Sequence, residues 1–416
     1  MAQRQRIVVV GGGLAGHRAT LEILKAAPSA MVTMISAEHR HPYDRPPLSK
    51  EFLTSLGDHP SLPGADVYQD GRVTFLGFTM AVAIDKAART VRTGDGTLHH
   101  FDKLLLATGS RPRRINGPDP AVPLLYLRTA NDAASLRRRL EPGAKVLIIG
   151  GGFIGLEVAA AARAKECDVT VLDAQEVLLA RAGSAELSHW AANYHRSRGI
   201  AVRLGAAVGG IRRSDNGQAV LETSVGEIAA DAVVVGIGVI PNVELALEAG
   251  LKVDNGIVVD GYGRTSDVAI FAAGEVTSYP IEHLSIRLRS ESWNVSGEQG
   301  AAVGRATAGD FSHPYDELPW LWSDQFEANV QLLGVPGLAT SQSLFGSPSQ
   351  SSWLLLGWGK EGDLVSAVAV NRGRDISLLR RALRKGSAIP AEFTSAPRVA
   401  NAIRVPIGSD RSRVAP

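Results

Sequence analysis

Lys145-Val146-Leu147-Ile148-Ile149-Gly150-Gly151-Gly152-Phe153-Ile154-Gly155 is the stretch that decides how this chain folds. Its first half is a short apolar run, the pattern of a strand buried on both faces of a parallel sheet. Its second half is a G-x-G-x-x-G carried by Gly150, Gly152 and Gly155, with Ile154 inside the loop. Glu157 to Ala162 continues as a strong helix former, and Val169-Thr170-Val171-Leu172 returns as a strand ending on Asp173. In such a unit the glycines let the backbone approach a pyrophosphate. The helix N-terminus supplies N–H groups and positive potential, and the acid takes the adenine-ribose hydroxyls.

The same unit occurs at the start of the chain. Arg6 to Val10 feeds Gly11-Gly12-Gly13-Leu14-Ala15-Gly16, a helix runs to about Ala27 before Pro28, and Val32 to Ile35 is followed by Glu38. The parallel continues. Val82–Ile84, Thr90–Thr93 and Thr97–His99 read as a small antiparallel meander leading to Leu104-Leu105-Leu106-Ala107-Thr108-Gly109. Val208–Ile211, Val220–Thr223 and Glu227-Ile228 repeat it, leading to Val233-Val234-Val235-Gly236-Ile237-Gly238. The chain is therefore an internally duplicated α/β protein with places for two dinucleotides.

Ile257–Asp260 and Ala269–Glu275 are strand-like but have no glycine loop of their own. They are expected to complete the first domain, into which the second unit is inserted. From Pro319, the runs Val330–Leu333, Trp353–Leu356 and Leu364–Val370 precede a basic helix over Ile376–Lys385, a smaller α+β domain. The expected division is 1–115 with 243–318, then 116–242, then 319–416. The tail from Gly408 to Pro416 is polar and reads as frayed.

Composition sets limits. A net charge of +2 on 416 residues gives no argument for nucleic acid. The cluster Arg372, Arg374, Arg380, Arg381, Arg384 and Lys385 reads as a solvated helix face before it reads as a patch for an acidic partner. The single cysteine, Cys167, excludes an internal disulfide and points to a reducing, cytoplasmic setting. No apolar run approaches the length of a membrane span.

Arg45-Pro46-Pro47-Leu48-Ser49-Lys50, Ala107-Thr108-Gly109, Leu127-Arg128-Thr129, Glu291-Ser292-Trp293 and Trp320-Leu321-Trp322-Ser323-Asp324-Gln325 occur in this order. Together they resemble the FAD-dependent NADH:ferredoxin reductases of bacterial oxygenase systems, the putidaredoxin-reductase and biphenyl-dioxygenase-reductase type. The resemblance implies a glutathione-reductase-like fold of two nested Rossmann-type domains plus a C-terminal α+β domain. FAD would sit on the first loop and NADH on the second. By the same resemblance, Gly11, Gly13, Ala15 and Gly16 would cradle the FAD pyrophosphate and Glu38 its ribose. Arg45, Ala81, Thr108, Gly109 and Arg128 would line the rest of that site, and Trp293 would open a helix suited to the charge on the N1–C2 edge of reduced flavin. The family has Asp where this chain has Glu275, so the ribityl contact is expected to shift.

Lys50 matches the family lysine beside flavin N5, and Glu157 matches its ion-pair partner. Trp322 reads either as a flavin-facing aromatic by resemblance or as a core tryptophan. Asp173 would lie next to the 2′-phosphate of NADPH. Two unit charges about 4 Å apart at an effective dielectric near 20 repel by roughly 4 kcal/mol, close to three decades in affinity. Arg181 would offset part of that, and NADH is favoured. Thiol chemistry needs cysteine beside the flavin, and the stretch Asp44 to Lys50 has none. The implied electron outlet is a 2Fe–2S ferredoxin docking transiently near the flavin edge and serving a Rieske dioxygenase or P450. Two alternatives stay open: an NADH:rubredoxin or other carrier reductase, and a redox-sensing binding protein of the apoptosis-inducing-factor kind. The sequence leaves monomer and homodimer undecided.

Overall fold

A computed structural model describes residues 4–400 apart from 56, 58, 59, 385, 386, 396 and 397. Lys385 and the 408–416 tail lie outside the described residues. The chain divides into two compact units, each assembled from three segments. The first holds Met1–Pro46, Asp58–Arg111 and Val239–Pro319; the second holds Pro47–Gly57, Pro112–Gly238 and Trp320–Pro416.

In the first unit five parallel strands stand in the order Ile270–Ala272, Lys103–Leu106, Arg6–Val10, Met31–Ile35, Val73–Leu76. The apolar run at the N-terminus is explained by this sheet, because alternate residues of one strand bury on opposite faces. Ile7 and Val9 enter the core with Ala19, Ile23 and Phe271. Val8 and Val10 enter the other with Tyr279, Ile281 and Val295. The helix Leu14–Ala26 ends just before Pro28. It packs closely against the helix Trp293–Thr307, where Gly300 and Gly304 leave room for the backbone at Ala15 and Ala19. A meander of Ala81–Asp85, Thr90–Thr93 and Leu98–His100 completes this part.

The second unit repeats the plan. Its parallel sheet runs Ala201–Arg203, Asp168–Leu172, Lys145–Ile149, Ala232–Val235, Leu124–Tyr126. Four of its strands, the glycine strand Lys145–Ile149 among them, match the first sheet one for one. The fifth differs in origin: Leu124–Tyr126 precedes its glycine loop in the chain, whereas Ile270–Ala272 comes long after its own. The helix Phe153–Ala164 follows the loop, and the meander is Val208–Arg213, Ala219–Thr223, Gly226–Ala230.

The C-terminal segment forms a six-stranded antiparallel sheet in the order Trp320–Gln325, Ala328–Gly334, Leu364–Val370, Trp353–Trp358, Ser341–Gly346, Val399–Ala400. Trp353 and Trp358 are its buried anchors, at 0% and 2% exposure. The basic helix spans Gly373–Arg384, starting three residues before the sequence pattern suggests; Ile376, Leu379 and Ala382 face the sheet and its arginines lie on the remaining faces. Among the described residues no helix is long and apolar enough to cross a membrane, and no cluster of His, Cys, Asp or Glu could hold a metal ion.

Candidate functional site

The two glycine loops have the same internal geometry. Gly11 stands at φ +124°, and a Cβ there would meet the Ala107 carbonyl oxygen at 2.1 Å. Gly150 stands at φ +109°, and a Cβ would meet the Gly236 carbonyl oxygen at 2.4 Å. Both turns therefore demand glycine for close backbone approach to the neighbouring strand end. At Gly13 and Gly152 a Cβ would meet nothing within 4 Å, so these residues face open space at the mouth of each loop. The helices that follow, Leu14–Ala26 and Phe153–Ala164, carry neither a capping side chain nor an acid in the first turn. Helices elsewhere are capped by Thr129, Ser184 and Ser292. Each loop thus presents uncapped N–H groups toward a concavity that only glycine leaves open, the arrangement that binds a pyrophosphate.

Around the first loop, the C-terminal ends of the parallel strands converge. Gly274 packs at φ +84° where a Cβ would lie 2.7 Å from Ala15 Cβ, so half-buried Glu275 follows directly at that junction. Thr108 Oγ1 donates to the Asn242 carbonyl at 2.7 Å, and Asn242 N–H donates to the Gly109 carbonyl at 2.9 Å. Beyond Ile35, Glu38 accepts from Tyr43 Oη at 2.6 Å and pairs with Arg45 at 2.5 Å. Ala81 is buried at the head of its strand, and Thr79 ties that strand back to the Ser36 carbonyl at 2.8 Å. Trp293 donates from Nε1 to Asp44 at 2.7 Å and opens a helix capped by Ser292. These residues belong to one unit. Lys50 and Arg128, expected on the same site, belong to the other.

In the second unit, Asp173 is fixed at its loop. One carboxylate oxygen accepts from Gly151 N–H and the other from Gln175 N–H, both at 2.8 Å. Each oxygen keeps a second lone pair for a further donor. Ile154 is 49% exposed on the rim, Arg181 is exposed on a one-turn helix, and Gly238 stands at φ +99° with its carbonyl accepting from Arg113 N–H at 2.9 Å.

Lys50, Glu157 and Trp322 come together within this unit. Lys50 Nζ lies 3.7 Å from Glu157 Oε1 and 5.6 Å from the Trp322 ring centroid. Its nearer partner is Asp324, at 2.6 Å, whose other oxygen accepts from Asn329 at 2.7 Å. Glu157 is 5% exposed. Burial pushes its carboxyl above the usual range; the Lys50 ammonium and the Ser323 and Ser49 hydroxyls pull it back, and Asp324 pushes it up again. Ser323 Oγ donates to Glu157 Oε1 at 2.5 Å, and Ser49 Oγ donates to Oε2. Trp322 is half-buried and stacked on Trp320, with centroids 5.7 Å apart; the fully buried tryptophans are Trp353 and Trp358.

Residues 5–300 match the pyridine nucleotide-disulphide oxidoreductase family, and residues 320–400 match the reductase C-terminal family. The ferredoxin–NAD(+) reductase component of the anthranilate 1,2-dioxygenase system of Burkholderia cepacia is 45% identical, over 91% of this chain and 94% of that protein. This chain belongs to the ferredoxin–NAD(+) reductase family. Rhodocoxin reductase of Rhodococcus erythropolis is 39% identical over 91% of this chain and 89% of its own length. The reductase in the crystal structure of the covalent putidaredoxin reductase–putidaredoxin complex superposes with a TM-score of 0.87. It is 31% identical and covers 92% of this chain and 93% of its own.

As a ferredoxin–NAD(+) reductase the chain uses FAD and NAD(H), and the two open glycine mouths with uncapped helix N-termini fit two pyrophosphates. The reductase has no thiol to add. Cys167 is buried, its Sγ donating to the Glu141 carbonyl at 3.3 Å, with burial holding the thiol above its ordinary range. Ser49, Ser323, Asp324 and Gln325 surround Glu157 and Lys50 without having been singled out for a role, although they are letters of the two motifs that carry the resemblance. Asn329 and His195 carry no sequence signal at all.

Proposed function

We propose that this reductase oxidises NADH and passes the electrons one at a time to a 2Fe–2S ferredoxin serving a Rieske dioxygenase or P450. The dioxygenase and putidaredoxin relatives support that partner. FAD, when bound, supplies the conversion between two-electron and one-electron transfer. The observation that carries the reading is the duplicated pair of uncapped glycine cradles in a chain whose only cysteine is buried and bonded away from both. Two dinucleotides without a thiol leave an external one-electron carrier as the outlet.

The roles divide by residue. Gly11, Gly13, Ala15 and Gly16 hold the FAD pyrophosphate, Glu38 with Arg45 the adenine ribose, and Ala81, Thr108, Gly109 and Arg128 the flanks. Glu275 contacts the ribityl chain from the junction with Ala15. The Trp293 helix faces the flavin edge with N–H groups that favour negative charge. Gly150, Gly152, Ile154, Gly155 and Gly238 hold the NADH backbone, Asp173 selects against a 2′-phosphate, and Arg181 tempers that selection. Lys50 keeps a cation on the nicotinamide side of the flavin. Glu157 and Asp324 share that cation, and Trp322 shields it. On this reading 1–115 with 243–318 is the FAD domain, 116–242 the NAD domain and 319–416 the C-terminal domain. The single cysteine fits a cytoplasmic protein.

Anaerobic titration of the purified yellow protein with NADH and with NADPH tests this, followed by addition of a 2Fe–2S ferredoxin. NADH is expected to bleach the flavin absorbance at one equivalent, NADPH far less effectively, and the ferredoxin to restore it. A colourless protein, or no bleaching by either nucleotide, overturns the reading.

A further inference from the structure

We propose that His195 is a positioning residue. Through Gln325 and Ser323 it sets the direction of a hydrogen-bond chain that presents the Ser323 hydroxyl proton to Glu157 and holds that side chain as a carboxylate beside Lys50.

The chain is continuous and dry. His195, on the helix Ala185–Arg196, is fully buried, as are Gln325 and Ser323. His195 Nε2 lies 3.0 Å from Gln325 Oε1. Gln325 Nε2 donates to Ser323 Oγ at 2.7 Å, and Ser323 Oγ donates to Glu157 Oε1 at 2.5 Å. Ser323 has a single proton. Because it already accepts from the Gln325 amide, that proton is committed to Glu157.

The chain can run in either of two directions, and the imidazole chooses between them. With a proton on Nε2, His195 donates to the Gln325 carbonyl, and every later donor points toward Glu157. With the proton on Nδ1, the Gln325 amide must turn over. Its carbonyl then takes the Ser323 proton, and Glu157 stays bonded to Ser323 only by becoming a carboxylic acid. Two observations select the first direction. His195 Nδ1 is buried with no hydrogen-bond partner among the described residues. An unused lone pair there costs less than a buried N–H without an acceptor. Gln325 Nε2 also faces the Phe153 carbonyl at 3.4 Å, which a turned-over amide would oppose with its own oxygen.

The charged groups around the chain agree. Burial, aided by nearby Arg198 and opposed by the Gln325 hydrogen bond, brings the imidazole down to about 4, so one ring nitrogen carries the only proton at neutral pH. Arg198 is itself paired with Glu327 at 2.9 Å, and the rings of Tyr194 and Phe326 cover the rest of His195. Lys50 and Asp324 are the charges facing Glu157. Since Asp324 is the nearer partner of Lys50, Glu157 needs donors besides the ammonium to remain ionised in a buried position.

The meaning of this carboxylate for the reductase rests on the roles proposed above for Lys50 and Glu157, but its test needs no turnover. In the full-length holoenzyme labelled with 15N-histidine, the His195 resonances, assigned by their loss in H195Q, are expected to show the Nε2–H tautomer at neutral pH. An Nδ1–H tautomer overturns the proposal. The infrared carboxylic-acid band that E157Q abolishes gives the Glu157 titration midpoint. Loss of one charge-directed hydrogen bond in H195F is expected to raise that midpoint by about one to two pH units. H195Q retains a donor toward Gln325 and is expected to stay at the wild-type midpoint. Equal midpoints in wild type and H195F, or an H195Q midpoint that follows H195F, overturn it. If H195F does not fold, the wild-type tautomer alone decides. Correct tautomer and midpoints in a protein that NADH fails to bleach would sink the functional reading and leave this one standing.

Discussion

At the scale of single residues, charge and its immediate partners carry the specificity. Asp173 has both carboxylate oxygens tied to backbone N–H groups, at 2.8 Å each, so its negative charge stays at the loop whatever the nucleotide. That separates two ways in which it could matter: as a charge, or as a brace for the loop. Asp173→Asn keeps an acceptor for the Gly151 N–H and removes the charge, while Asp173→Ala removes both. If charge is the discriminator, both variants should gain NADPH affinity, by roughly two to three decades relative to NADH. The alanine variant should also lose some affinity for either nucleotide. Stopped-flow reduction by both nucleotides measures this, and an unchanged preference in both variants would show that Asp173 does not read the ribose. The neighbourhood of Lys50 shows where sequence reasoning stops at this scale. Its proximity to Glu157 was legible from the two motifs, but its closer partner, Asp324, was not. The two are 274 positions apart, and which of two acids a lysine meets at 2.6 Å and which at 3.7 Å is decided by strand pairing and side-chain packing.

At the scale of elements, the duplicated glycine units were readable because strands buried on both faces are apolar runs that end at fixed turn residues. The edge strands Val73–Leu76, Leu124–Tyr126 and Ala201–Arg203 were not. They are short, partly exposed and carry no clear period, so only pairing with a neighbour reveals them. The membership of Pro47–Gly57 in the second unit was equally hidden. Lys50 and Ser49 tie it to Asp324 and Glu157, and a further tie comes from a side chain on the helix Ala130–Arg137. Arg137 Nη1 donates to the carbonyls of Ser55 at 3.0 Å and of Phe52 and Gly57 at 3.4 Å each. Its guanidinium also lies 4.6 Å from the Phe52 ring centroid. Phe52 lies in the short helix Glu51–Thr54, Ser55 is its C-terminal cap and Gly57 follows, so Arg137 gathers carbonyls at and beyond the helix end. Because Lys50 is the residue just before that helix, Arg137 holds the lysine through its own element. Arg137→Ala should weaken this segment by about 1–3 kcal/mol. Amide hydrogen exchange over 51–55 should rise while exchange in the Lys145–Ile149 strand stays as it was. Unchanged protection of 51–55 would mean that the buried Phe52 and Leu53 side chains hold the segment unaided.

At the scale of the whole molecule, acid sensitivity follows from which buried groups must change charge. The depressed carboxylates, Asp70 at about 2 among them, keep their contribution until the pH approaches the ordinary carboxylate range. Glu157 works in the opposite sense. Its folded carboxyl sits above its unfolded value, so the folded state binds the extra proton and acidification relieves the cost of burying the charge. His195 is different again. Its folded value of about 4 lies below the 6.5 of the free imidazole, so the unfolded chain takes up the proton first. The stability associated with neutral His195 is therefore complete above 6.5 and is lost as the pH falls toward 4. His17, also buried and lowered, adds in the same direction. Between about pH 7.5 and pH 5 the depressed acids are still ionised, so the histidines set the loss of stability and Glu157 opposes it. Over that interval His195 should account for about 2 kcal/mol of lost stability. H195Q has no proton to take up and should lose correspondingly less, a difference readable as a smaller drop in urea midpoint between the two pH values. If wild type and H195Q lose the same amount, His195 is not the group that the folded protein keeps neutral, and the single-proton imidazole on which the direction of the Glu157 chain depends would fall with it.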